Sequence, residues 1–164
     1  MNGPIRAAVL TISDRCSHGQ AQDTSGPALC RILQAHLNAH ILRTACIPDE
    51  PDMIAEHFRS WARTDDQLDL ILSTGGTGLS PRDRTPEAAR RVFDREHAPL
   101  MELARLRCLN SSPLAFLSRG VAGTISSTLI LTLPGSEKGS TEILTTLLDV
   151  LPHAIQMLRG GDHS

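Results

Sequence analysis

The stretch Leu68-Asp69-Leu70-Ile71-Leu72-Ser73-Thr74-Gly75-Gly76-Thr77-Gly78 decides the fold. Its first six residues are almost continuously apolar, as a strand covered on both faces should be. Glycine then occupies three of four positions, Gly75, Gly76 and Gly78. In an open α/β sheet, ligands bind beyond the carboxyl ends of the strands. A glycine-rich loop leaving such a strand is therefore the first place to look for chemistry. Without side chains in the way, its backbone N–H groups can turn toward one point and form an anion-binding nest. The alternative is a tight strand-to-loop turn that simply needs positive φ.

Toward the N-terminus the same grammar repeats. Residues 7–12 form another continuous apolar strand, followed by a polar loop over 13–22. A helix is expected over 24–38, with Leu29, Ile32, Leu33 and Leu37 on one stripe. Residues 41–47 read as a strand and 51–62 as a helix, with Ile54, Phe58, Trp61 and Ala62 facing inward. Toward the C-terminus, Thr85-Pro86-Glu87 reads as a helix start with Thr85 as N-cap. A further helix is expected over 100–109, a short strand or turn over 114–117, and the last clear strand over 128–133. Pro134-Gly135-Ser136 breaks that strand and offers Ser136 as a cap. Ile143, Leu144, Leu147 and Leu148 mark a helix ended by Pro152, and 154–158 a short closing one. Residues 159–164 read as a frayed tail. Strands alternating with amphipathic helices predict βαβ units around a mostly parallel sheet.

Bulk properties agree with that reading. A chain of 164 residues with 40% hydrophobic and 21% charged residues fits one globular domain, 1–164. Net charge is −2 and the sequence pI about 6.4, with no basic stripe to neutralise a phosphate backbone. Phe58, Phe93, Phe116 and Trp61 are the whole aromatic complement, too few for a base-stacking platform. Nucleic acid is not an expected partner, and neither is a membrane, since no apolar run approaches the ~18 residues of a span. Cys16, Cys30, Cys46 and Cys108 form no CxxC pair and are expected to be reduced, in a cytoplasmic protein. The Asn110-Ser111-Ser112 glycosylation match is expected to be noise without a secretory route.

Four loops fall at carboxyl ends of the strands: 13–23, 48–52, 74–85 and 134–140. Asp83 lies within Arg82-Asp83-Arg84-Thr85 and reads either as a solvated acid paired with Arg82 or Arg84, or as a Mg²⁺ ligand beside a phosphate. Asp49, with Asp52 three residues on, is close to an acidic capping box, a role compatible with one in a site. Asp14 is expected at the same rim, and Asp23 to compete with Thr24 and Ser25 for the first helix cap. Glu137-Lys138-Gly139-Ser140 has the wrong order for a P-loop. The seven His lack zinc spacing, and no GxSxG elbow exists.

Taken in order, these loops resemble the MogA/MoaB family, the molybdopterin adenylyltransferases, which also recur as a domain of gephyrin-like proteins. The carrying stretches are Leu10–Arg15, Asp23–Pro27, Ile47–Glu50, Ser73–Gly78, Arg82–Ala88, Phe93–Glu96, Ser118–Gly123 and Leu129–Ser136. GGTG followed by Asp83-Arg84-Thr85-Pro86-Glu87-Ala88 is the specific pairing. The resemblance implies a three-layer α/β/α sandwich, a homotrimer, and adenylylation of molybdopterin by ATP with Mg²⁺. It makes Asp49 and Asp83 the catalytic acids and metal ligands. It places Ser13, Asp14, Gly75, Gly76, Thr77, Gly78, Thr85, Glu87, Arg119, Pro134, Gly135, Ser136 and Lys138 against the substrates, with Arg119 neutralising developing charge. Inactive-type relatives lose the acid before Thr-Pro-Glu-Ala; Asp83 is present here. Hand-over of product to a molybdate-insertion protein would follow. The rivals are a non-catalytic molybdopterin carrier, an oligomeric scaffold of the same fold, and a nucleotide pyrophosphatase. One departure is His97-Ala98-Pro99-Leu100, where the family often has Pro-Gly-Phe, in a segment expected to pack a helix near the site.

Overall fold

The computed structural model describes residues 3–160. Its frame is a six-stranded sheet in the order β2-β1-β3-β6-β5-β4. Strands β1 (Ile5–Ile12), β2 (Ala39–Ile47), β3 (Leu70–Thr74) and β6 (Thr128–Leu133) run parallel, while β5 (Ala122–Ile125) and the two-residue β4 (Arg95–Glu96) run antiparallel at one edge. In register, Val9 faces Leu72 and Leu72 faces Leu131, so the apolar rows of three central strands align.

The continuous hydrophobicity of β1 follows from its two covered faces. Ala7 and Val9 pack with Leu29 and Leu33 of α2 (Ser25–Leu37), with α5 (Ala98–Cys108), and with α6 (Glu137–Leu147) and α7 (Leu151–Leu158). Ala8, Leu10 and Ile12 pack on the other face with Ile54, Phe58 and Trp61 of α3 (Pro51–Ala62) and with Ala88 and Ala89 of α4 (Thr85–Arg90). The architecture is thus the expected three-layer sandwich with a mostly parallel sheet. The chain leaves β1 for β2 on one side, then returns for β3 on the other. That reversal of strand order opens a crevice at the carboxyl ends of β1 and β3.

Several local expectations give way to tertiary partners. The polar loop after β1 contains a helical turn, α1 (Asp14–Ser17), capped by Ser13. Thr85 is not the cap of α4. Arg84 holds that position, because the Thr85 N–H donates to Gly76 O at 3.0 Å and draws Thr85 into the first turn. Asp49 is not the cap of α3 either; Glu50 is, without a side-chain bond, because the Asp49 carboxylate is engaged elsewhere. Thr24 sits at the cap of α2, yet Asp23 supplies the oxygen, accepting the Gly26 N–H at 3.0 Å. Residues Pro113–Leu117 form a 3-10 turn. Pro152 belongs to the first turn of α7 and does not end the preceding helix, which closes at Leu147. His97 caps α5 and Pro99 sits in its first turn. Arg159 is no frayed tail: it pairs with buried Asp69 at 2.7 Å. The rest of that tail from 161 on lies outside the described residues. All four cysteines are free. Among the described residues no helix is long and apolar enough to cross a membrane.

Candidate active site

At the crevice, β1, β3 and β6 exit side by side. Gly75 takes φ 111°, and a Cβ there would stand 2.0 Å from the Ile12 carbonyl oxygen, so only glycine fits. Its N–H donates to Leu133 O at 3.0 Å, which ties the exit of β3 to that of β6. Gly76 follows at φ 68°.

The carbonyls of the next residues are all engaged by the fold. Thr85 N–H donates to Gly76 O, Arg119 N–H to Thr77 O at 2.7 Å, and Arg119 Nε to Gly78 O at 2.9 Å. The N–H groups of Gly76, Thr77 and Gly78 have no acceptor among the described residues. A run of free amides whose carbonyls are anchored is the donor arrangement of a nest.

Two clefts meet at Gly135 and Ser136. The first, about 300 Å³, is lined by Ser13, Asp49, Gly75, Gly76 and Asp83, together with Cys16, Gln22, Asp23, Ser25 and Glu137. The second, about 330 Å³, is lined by Thr77, Gly78, Pro134 and Lys138, with Ser112, Ser118 and Glu142 and the apolar walls Leu114, Leu117 and Ile143. Ser136 caps α6 by accepting the Gly139 N–H at 3.0 Å, so the start of that helix borders both clefts.

The acids of the first cleft are not equivalent. Asp49 Oδ2 accepts the Asp14 N–H at 2.9 Å, and Asp14 Oδ1 accepts the Asp49 N–H at 3.0 Å. Burial, with the neighbouring charges of Asp14 and Asp83, pushes the Asp49 carboxyl above its usual range. Asp14 shifts the other way, held down by the Asp49 N–H and by Arg82. Asp83 pairs with neither arginine beside it; its Oδ2 accepts the Ser80 N–H at 3.0 Å. Arg82 turns instead to Asp14 and Glu50. Asp23 is spent on the scaffold, accepting from Thr11 Oγ1 at 2.6 Å as well as from Gly26.

Of the residues the sequence singles out, Asp14, Thr85, Glu87 and Arg119 line neither cleft. Arg119 bridges Gly78 O, Asp83 O and the Glu87 carboxylate, with Asp83 O at 2.6 Å. It pins the glycine loop to Asp83 and Glu87. The Thr85 hydroxyl and Glu87 Oε2 are buried without a hydrogen-bond partner among the described residues. Cys16, Gln22 and Glu137 fall inside the loops 13–23 and 134–140 that the sequence places at the strand ends, though none is singled out there; the 3-10 turn lies outside those loops, and so does Ser25, legible only as a hydroxyl competing for the helix cap. It donates to Gly135 O at 2.8 Å.

Fold and site define a class: an open α/β domain with an acid-lined cleft and a glycine nest at its topological switch point. Residues 8–153 match the model of the family described as "Probable molybdopterin binding domain", and the chain belongs to that family. It is 41% identical over 161 residues to the molybdenum cofactor synthesis protein cinnamon of Drosophila melanogaster, covering 98% of this chain and 26% of that protein. It is 35% identical to the molybdopterin adenylyltransferase of Helicobacter pylori strain J99, covering 96% of this chain and 89% of that one. Among solved structures, the molybdopterin biosynthesis enzyme MoaB of Thermus thermophilus superposes with a TM-score of 0.89 at 48% identity, covering 98% of this chain and 99% of that one. MogA superposes at 0.86 with 33% identity, covering 93% and 99%. The chain spans about a quarter of cinnamon and about half, 49%, of a molybdenum cofactor biosynthesis bifunctional protein of Synechococcus elongatus. Among the relatives, a protein of Staphylococcus epidermidis, 36% identical over 139 residues and covering 83% of this chain and 78% of that one, carries the name molybdenum cofactor biosynthesis protein B.

Proposed function

We propose that this chain adenylylates molybdopterin with ATP, giving adenylyl-molybdopterin and pyrophosphate. The observation that carries the reading is one juxtaposition. Asp49 and Asp83 each spend Oδ2 on a backbone amide, and among the described residues neither Oδ1 accepts a hydrogen bond. Beside them stand the unpaired amides of Gly76, Thr77 and Gly78.

The donor set fits Mg²⁺. The first cleft is lined by four acids, Asp23, Asp49, Asp83 and Glu137, and among the described residues by no basic side chain. A polyphosphate entering such a cleft needs a hard cation, and Mg²⁺ is typically held by one or two carboxylates plus phosphate oxygens. Asp49 and Asp83 would hold it, and when bound it supplies charge neutralisation at the reacting phosphates.

An oxygen of the terminal phosphate of molybdopterin attacks the α-phosphorus of ATP. The bond from that phosphorus to the bridging oxygen breaks, and pyrophosphate leaves. Such a step asks the protein for positioning and electrostatics rather than covalent help. The Gly76–Gly78 amides cradle a phosphate, Ser13 and Ser136 offer hydroxyls at its edge, and Lys138 brings a cation to the second cleft. Arg119, Thr85 and Glu87 act from outside the clefts, holding the loop that carries the nest and Asp83. A homotrimer, a cytoplasmic location and hand-over of product to a molybdate-insertion protein belong to the same reading.

Pyrophosphate release from ATP and Mg²⁺, with and without molybdopterin, tests the reading in the wild type and in Asp83→Ala. Release that requires molybdopterin and collapses in the variant supports it. Tight pterin binding without release leaves a carrier or scaffold, and release without pterin leaves a pyrophosphatase.

A further inference from the structure

Arg82 stands at the rim of the first cleft, at the hub of three loops. Its Nε donates to Asp14 Oδ2 at 3.1 Å, and its Nη2 donates to both Asp14 oxygens at 2.9 Å and to Glu50 Oε1 at 3.0 Å. Asp14 follows β1, Glu50 follows β2, and Arg82 follows β3 and immediately precedes Asp83. One guanidinium thus connects the exits of three adjacent parallel strands. Asp14 in turn holds Asp49 at two points, through the reciprocal amide–carboxylate bonds.

The consequence for the two acids is geometric. Asp49 can rotate only by breaking its Oδ2 bond to the Asp14 amide. Asp83 is held by the Ser80 N–H on its Oδ2 and by Arg119 on its carbonyl, and its chain neighbour Arg82 ties the same backbone segment to Asp14. The free Oδ1 of Asp49 and the carboxylate of Asp83 are therefore held at a set separation before any ligand arrives. Both Asp14 oxygens are occupied, by Arg82 and by the Asp49 amide, and Asp14 does not line either cleft. It has no acceptor left to offer a substrate.

We infer that Arg82 and Asp14 are positioning residues: the Arg82–Asp14–Asp49 chain fixes the distance between Asp49 and Asp83 and so sets the affinity of the cleft for a divalent cation. The inference rests on the reading of Asp49 and Asp83 as a cation-holding pair. Partners that orient metal-binding carboxylates change metal affinity by about 10- to 100-fold when removed. A lysine at 82 keeps the charge but not the fork that reaches two carboxylates at once.

Mn²⁺ alone, followed by water-proton relaxation, tests this directly in the wild type, Arg82→Gln, Arg82→Lys, Asp14→Asn and the Arg82→Gln/Asp14→Asn double variant. Circular dichroism checks that each is folded. Arg82→Gln and Asp14→Asn should weaken Mn²⁺ binding about 10-fold or more. The double variant should be little worse than either single one, because the two residues act in one chain. Arg82→Lys should recover part of the loss. In steady-state pyrophosphate formation, the half-saturating Mg²⁺ concentration should rise with no change in the KM for molybdopterin. Unchanged Mn²⁺ binding in folded Arg82→Gln, fully additive losses, or a raised molybdopterin KM with Mn²⁺ binding intact would each overturn the inference; so would a wild type that takes up no Mn²⁺. If the wild type binds Mn²⁺ but forms no pyrophosphate, adenylyl transfer fails while the positioning chain still stands or falls on the Mn²⁺ titration.

Discussion

Asp14 and Asp49, 35 residues apart, each hold the other's backbone amide, at 2.9 and 3.0 Å. The pair leaves Asp49 half-buried among like charges, with a carboxyl that burial and its acidic neighbours make harder to ionise. Asp49→Asn keeps an acceptor for the Asp14 amide and removes the crowded charge. Its melting temperature should equal or exceed that of the wild type, while pyrophosphate formation falls by about 100-fold or more. Differential scanning calorimetry and the assay together decide this. An unfolded variant would show that Asp49 is scaffold first.

Thr85 should tolerate loss of its hydroxyl. Its Oγ1 is buried with no partner among the described residues, and it abuts Gly76, where an added Cβ would stand 2.2 Å away. Replacing an unpaired buried polar atom by an apolar one of the same shape is close to neutral. Thr85→Val should change stability by no more than about 1 kcal/mol in urea unfolding. A larger loss would mean that the hydroxyl is satisfied in solution by an ordered water.

The two kinds of positive-φ glycine should respond very differently to a methyl group. Gly75→Ala drives Cβ into the Ile12 carbonyl, and the Gly75 N–H bond to Leu133 O resists retreat. Gly19, at φ 73°, has nothing within 4 Å of the same position. Gly19→Ala should cost about 1 kcal/mol, the left-handed penalty alone. Gly75→Ala should exceed about 4 kcal/mol and yield little folded protein. Equal stabilities of the two variants would refute the close approach of β1 and β3.

The central strands were legible in the sequence because they carry apolar residues toward both faces, Val9 and Leu72 toward one and Leu10 and Ile71 toward the other, and a continuous apolar run reports that. Strand β5 was not. Gly123 interrupts it, since a Cβ there would meet the Phe93 ring at 2.3 Å. Its turn into β6, Ser126-Ser127, carries none of the usual hairpin residues although Ser126 adopts φ 53°. Caps failed for a related reason. Asp49 and Thr85 have the right chemistry for helix starts, but Asp14 and Gly76, distant in sequence, recruit them first. The acids of the cleft were readable from their position after strands. The partners of the arginines that organise them were not, because Arg82 reaches 68 residues back to Asp14 and Arg119 reaches 41 back to Gly78.

Away from the cleft, Asp69 is expected to make stability depend on pH. It is buried, and burial alone would raise its pKa. Hydrogen bonds from Arg159, then from the side chain and backbone of Arg6, override this and hold the carboxyl well below the usual range. A depressed folded pKa gives stability that is fully present above the unfolded value, about 3.9, and that is lost as pH falls from there toward the folded value. Asp69→Asn should therefore lower stability at neutral pH by about 3 kcal/mol, the cost of breaking a buried pair. Its stability should also fall less steeply than that of the wild type below about pH 4. Urea unfolding at a series of pH values reads both effects, and parallel curves for the two proteins would remove Asp69 from the account.

Arg119 gives the sharpest separation between loop geometry and charge. Its guanidinium holds Gly78 O, Asp83 O and Glu87 at once, and its own amide holds Thr77 O. These bonds turn the carbonyls of the glycine loop inward and leave the amides unpaired. Arg119→Lys preserves the positive charge beside Glu87 but cannot reach two carbonyls and a carboxylate together. If the residue served as a charge for the reaction, lysine would substitute with a modest loss. If it serves as the pin of the nest, the loop shifts on the scale of an ångström, which costs about 100-fold in rate when it misplaces reacting groups. The expected result is a fall of that order in kcat/KM for ATP, with the KM for molybdopterin changed far less and Mn²⁺ binding weakened through Asp83. Activity within about threefold of the wild type would return Arg119 to the role of a nearby charge.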